Sequence, residues 1–142
     1  MSAYHQFETE LSDGDCIVAA LKDMKFSPIV HEKPVQLMGY EGRRRKETAE
    51  IVIPRKQVGL AANDIGFKKE KSGRYRVIVS QYDQHQGYNE SWRKQLKQRY
   101  AEHRAMKLAR RKGLKLKKRE ELTDAKTGKK SVRLVFAHRR MA

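Results

Sequence analysis

Apolar and polar positions alternate along HQFETEL, where Phe7, Thr9 and Leu11 share one side, and a period of two predicts a half-buried strand. The period then lengthens. Ile17, Leu21 and Met24 recur at helical spacing, which predicts an amphipathic helix over residues 13–25. The stretch SDGD ahead of it has capping-box spacing, Ser12 with Asp15 three residues on, and Ser27-Pro28 ends the helix. PVQLMGY and ETAEIVI read as strands joined by EGRRRK, a turn whose tip carries Arg43, Arg44, Arg45 and Lys46. NDIGFKK and RYRVIVSQ flank the turn EKSG. Near the end, KSVRLVFAH alternates Val132, Leu134 and Phe136 behind the turn DAKTG, with GLKLKKREEL as its partner strand.

Between the second and third hairpins lies a helix at about 91–112, with Asn89 or Ser91 as its cap and Gly113 placed to end it. Trp92, Leu96, Tyr100, His103 and Met106 fall on one side of it, a docking face. Strand, helix, two hairpins, helix and hairpin in this order predict one α+β domain over residues 1–142. Its antiparallel sheet carries two helices packed on one face, with basic extensions that include a C-terminal hairpin at about 114–138. Ile17, Leu21, Ile51, Val52, Ile65, Val77, Val79 and Leu134 are the expected core.

Composition changes the picture through charge. Apolar residues are only 38% of the chain, but they cluster, as in a folded domain with a thin core. The formal charge is +16, far beyond what solubility requires, and it favours polyanions. Residues 92–119 hold thirteen Lys or Arg against one acid, Glu102, so repulsion along this helix calls for a partner. Arg93, Lys97, Arg104 and Arg111 line a stripe beside the docking face, and Lys115 and Lys117 continue the run. Several such side chains can follow one phosphate chain. Trp92 and Tyr100 border the stripe. They read as core aromatics, or alternatively as platforms on which unpaired bases stack. Arg43, Arg44 and Arg45, with the tail His138, Arg139 and Arg140, complete a composite basic surface.

Other chemistries find little support. DAKTGKKS lacks the first glycine of a phosphate-binding loop, and a strand follows it rather than a helix. The five histidines have no ligand spacing, so no metal or other cofactor is expected. Asp64 in NDIGF and Asp83 are acids placed at the ends of apolar strands, and Asp64 with Gly66 reads as a turn or bulge device. The single cysteine, Cys16, reads as a core thiol and fits a reducing compartment. With no apolar run long enough for a bilayer and no secretory leader, the expected site is the cytoplasm, the plastid stroma or a viral host's cytoplasm.

GYEG (39–42), AEIVI (49–53), NDIGF (63–67) and RYAEHRAMKLARRKG, in this order behind SAYHQFETEL, resemble the family of hypothetical chloroplast reading frame thirty-five and its cyanobacterial, bacterial and phage relatives. That family is a domain of unknown function. The resemblance implies a single α+β domain, supplies no catalytic residues, and suggests an AAA+ ATPase as a partner because relatives are often encoded near one. The relatives are less basic than this chain. The residues therefore point to a small non-enzymatic nucleic-acid-binding protein making sequence-independent backbone contacts, with RNA preferred to DNA. The rivals are a basic adaptor for an acidic protein, such as an AAA+ ATPase or a virion component, and an enzyme using Asp64 or a histidine.

Overall fold

The computed structural model describes residues 2–138, so Arg139 and Arg140 of the basic tail lie outside the described residues. In chain order the elements are β1 (Tyr4–Glu8), α1 (Gly14–Asp23), β2 (Ile29–Met38), β3 (Arg44–Ile53), α2 (Arg55–Val58), β4 (Ile65–Lys69), β5 (Tyr75–Ser80), α3 (Gln81–His85), α4 (Glu90–Arg111), β6 (Leu114–Thr123) and β7 (Lys130–His138). The first five strands form an antiparallel sheet in the order β1-β5-β4-β3-β2, and β6 with β7 forms a separate two-stranded ribbon. The fold is α+β, as the periodicities predict.

Strand pairing assigns the faces. Phe7 lies opposite Val77, Ile51 opposite Phe67, and Ile53 opposite Ile65. These side chains meet Ile17 and Leu21 of α1 and Trp92 and Leu96 of α4 in the main core. The opposite face carries only a small cluster, Tyr4, Leu37, Ala49, Val52 and Ile78. It is otherwise polar, as where Arg76 reaches Glu8 and Glu70. One covered face and one wetted face are normal for an antiparallel sheet.

NDIGF works differently from a simple turn. Asp64 is 6% exposed, and its two carboxylate oxygens each accept a main-chain amide at 2.7 Å, from Met38 at the end of β2 and from Arg55 at the start of α2. Asn63 accepts the Tyr40 amide and donates to Ser80 and Asp83. The pair thus ties three loops to the start of β4. Gly66 sits mid-strand, where a side chain would collide with Leu37 and Ala49. Asp64→Asn keeps the shape but turns an acceptor into a donor facing an amide. It should cost about 2 kcal/mol and lower the melting temperature by several degrees, which thermal unfolding measures.

Several sequence expectations need correction. Asp13, not Ser12, caps α1, its side chain accepting the Cys16 amide. Arg44, Arg45 and Lys46 are not a hairpin tip, because β3 already begins at Arg44, which pairs with Met38. A short 3-10 turn, Tyr40–Gly42, makes the reversal instead. β2 starts at Ile29, five residues before PVQLMGY, and tolerates Pro34 because it is an edge strand with a register shift there. Leu134 is only half-buried, since the ribbon packs outside the main core, whereas the other seven expected core residues are buried.

Candidate nucleic-acid interface

Charge divides sharply along the chain. Residues 90–138, which hold α4 and the ribbon, contain seventeen Lys or Arg against five acids, while residues 1–89 contain fourteen against twelve. The excess therefore belongs to one structural unit rather than to the sheet. α4 starts at its Asn89 cap, whose side chain accepts the Trp92 amide, and Gly113 with φ 73° turns the chain back into β6.

Helical rotation gives α4 three sides. The first faces the core through Trp92, Leu96 and Tyr100, all buried. Trp92 meets Phe26 and Tyr88 edge-on. The Tyr100 hydroxyl accepts the amides of Ser12 and Asp13, each at 3.1 Å, so both its ring and its oxygen are engaged. Tyr100 offers no face to a base. His103, also assigned to this side, bonds Asp23 of α1 at 2.7 Å.

The second side is covered by the ribbon. Arg119 lays its guanidinium against Glu102, with Nε and Nη2 each 3.0 Å from a carboxylate oxygen, and reaches Glu121 at 2.9 Å. The one acid in the basic run is thus neutralised from β6. An open cleft of about 460 Å³ separates the rest, bordered by Gln95, Gln98 and Arg99 of α4 and by Leu122 and Val132 of the ribbon. No residue of β6 or β7 is fully buried.

The third side is the predicted stripe, and the structure divides it. Arg93 stacks on Phe7 of β1, 3.6 Å above the ring centroid, and burial pushes its guanidinium below the usual arginine range, with Glu90 opposing. Its Nη1 is buried with no hydrogen-bond partner among the described residues. Arg104 and Lys107 both reach Asp13, at 3.5 and 2.6 Å. Desolvation would raise the Asp13 carboxyl, but bonds from Lys107 and the Cys16 amide and the two cationic charges outweigh it and hold it low. Two of the four stripe residues therefore brace the fold. Lys97 and Arg111 stay exposed, as do Lys115 and Lys117 on β6.

Arg45 stacks 4.7 Å from the Tyr4 centroid and donates to the Ser2 carbonyl. Tyr4 belongs to the cluster on the sheet face away from α4. Arg45 therefore lies on the sheet face away from α4, apart from the helix stripe. The ribbon adds cations that the sequence reading did not name as contacts: Lys118, Arg133 and, around the distal turn, Lys126, Lys129 and Lys130, all exposed. Alternation alone could have found Arg133, which sits between the inward Val132 and Leu134.

A second cleft, about 550 Å³, opens between the start of α1, β2 and α4, where Lys69, Lys107 and Arg111 face Asp15, Glu32 and Glu50 with no net sign. Asp64 and His31 border a shallow groove on β2 and β3, but Asp64 spends both oxygens on main-chain amides. Among the described residues no group of three His, Cys, Asp or Glu is placed to hold a metal ion, and no helix is long and apolar enough to cross a membrane.

A family model described as "Protein of unknown function (DUF1257)" matches residues 20–135. No curated protein and no solved structure matches. The match agrees with the resemblance to a domain of unknown function, while the chloroplast reading-frame name is no part of its description.

Proposed function

Because the chain belongs to that family, whose description assigns no activity, we propose a function from its own surface: it binds nucleic acid by gripping the phosphate backbone with α4 and the ribbon, without catalysis. The observation that carries this reading is the segregation of charge, seventeen cations against five acids in residues 90–138 beside a nearly balanced remainder. A solubilising charge has no reason to gather on one helix and one ribbon.

The contacts do not read sequence. α4 is held between the sheet and the ribbon, so it is not free to enter a major groove as a recognition helix. Lys97, Arg111, Lys115 and Lys117 are the principal backbone contacts, joined by Lys118, Arg133 and the cations of the distal turn. RNA is preferred to DNA, in keeping with recognition by shape and phosphate rather than by base edges.

Each neutralised phosphate releases condensed counterions. With about four to six contacts, log affinity against log salt should have a slope of roughly −3 to −5. A titration of the purified protein with RNA and DNA from low to moderate salt measures it. Binding that ignores salt, or that needs an acidic protein such as an AAA+ ATPase in the tube, would replace this reading with the adaptor.

A further inference from the structure

The ligand's strandedness can be argued further, and the argument rests on the backbone-binding reading above. Proteins that hold single strands without sequence preference combine cations with aromatic platforms, because an unpaired base offers a face for stacking. Residues 90–138 contain three aromatics: Trp92, Tyr100 and Phe136. Trp92 and Tyr100 are each only 8% exposed, on the core side of α4. Phe136 pairs with Leu116 and shares its side with Val132, which faces α4 across the cleft, and it is half-buried. The exposed aromatics among the described residues are Tyr40 and Tyr82, in the 3-10 turn and α3, outside the basic unit. One arginine plane is also taken, Arg93 on Phe7, and the N–H edge of Arg119 is spent on Glu102 and Glu121.

The basic unit is also long and stiff. α4 has 22 residues, so it spans about 33 Å at about 1.5 Å per residue. β6 has 10 residues and covers a similar length at about 3.3 Å each. It runs back along the helix, since Arg119 meets Glu102 while Thr123 and Val132 lie beside Gln95 and Gln98. One turn of a B-form DNA duplex is about 34–36 Å, and an A-form RNA duplex presents its phosphates over a comparable span. An extended row of point charges with no stacking platform matches a stiff double helix better than a flexible single strand.

We infer that the surface formed by α4 and the ribbon takes double-stranded nucleic acid, through the phosphates of about one helical turn, and discriminates against single strands. The test uses the full chain and labelled oligonucleotides of one sequence about two helical turns long: single-stranded RNA, single-stranded DNA and the corresponding duplexes. Fluorescence anisotropy at fixed salt gives the four affinities, and the emission of Trp92, the sole tryptophan, is recorded alongside. Either duplex should bind at least roughly tenfold tighter than its own strands, with Trp92 emission unchanged on binding. Single strands that bind as tightly as duplex, or that quench Trp92, would overturn the inference and leave the backbone-binding reading standing. No binding to any of the four would remove both.

Discussion

Gly66→Val is expected to be the most destabilising single change in the chain. Gly66 lies on the central strand β4, opposite Val52 on β3 and Ile78 on β5. A Cβ there would stand 2.7 Å from the Ala49 Cβ and 2.9 Å from a Leu37 methyl. Leu37 can rotate away, but Ala49 has no torsion to yield, so the strands themselves must part. The cost should be about 4 kcal/mol or more, against a total stability of only about 5–15 kcal/mol for a typical domain. The melting temperature should fall by about 10 °C or more. Gly66→Ala should be milder, and combining it with Ala49→Gly should recover part of the loss by removing the atom it strikes. Equal melting temperatures for Gly66→Val and the parent would show that the glycine serves something other than close approach.

The second large effect is on binding. Lys97→Glu, Arg111→Glu, Lys115→Glu and Lys117→Glu together remove four exposed cations that make no ion pair among the described residues. At about 0.7–0.9 per contact the salt slope should flatten by about 3, and affinity near 0.1 M salt should fall about a thousandfold, for every sequence tried. The melting temperature should hold or rise, because like charges no longer crowd. Arg93→Glu with Arg104→Glu should behave in the opposite way. Arg93 would leave Phe7, and a new carboxylate would stand against Asp13, so stability should drop before binding can be judged. Parent-like affinity in the fourfold variant would mark the exposed cations as a solvated surface only.

That contrast shows what could be read from sequence. Local pattern located the seven strands and both long helices of the described residues, β2 only from Pro34 on and β6 only as a partner to β7, because most are set by their own residues: Val132, Leu134 and Phe136 alternate whatever they pack against. Asn89 and Gly113 mark the ends of α4 for the same local reason. The partners of the stripe were hidden, since Asp13 and Phe7 lie some eighty to ninety residues from the arginines they meet. A run that looks uncompensated in one dimension is partly compensated in three. Arg44 was misplaced for a related reason. A charged run after a glycine reads as a turn, yet pairing with Met38 draws it into β3. The Asp64 reading came closer, because it assigned the acid to main-chain amides. The amides it takes, of Met38 and Arg55, are 26 and 9 positions away and were beyond local pattern.

The Tyr100 hydroxyl, which takes the amides of Ser12 and Asp13 from 88 and 87 positions away, also sets a timetable for synthesis. The start of α1 leaves the ribosome long before the residue that completes it. At about 5–20 residues per second, the wait is on the order of 4–18 s. Late in that interval, once β5 has emerged, the sheet surface that Trp92 and Leu96 will cover is open until α4 follows. The basic helix is therefore also the closing piece of the nascent domain, and a chain stalled before Tyr100 is left with the loop before its first helix untied.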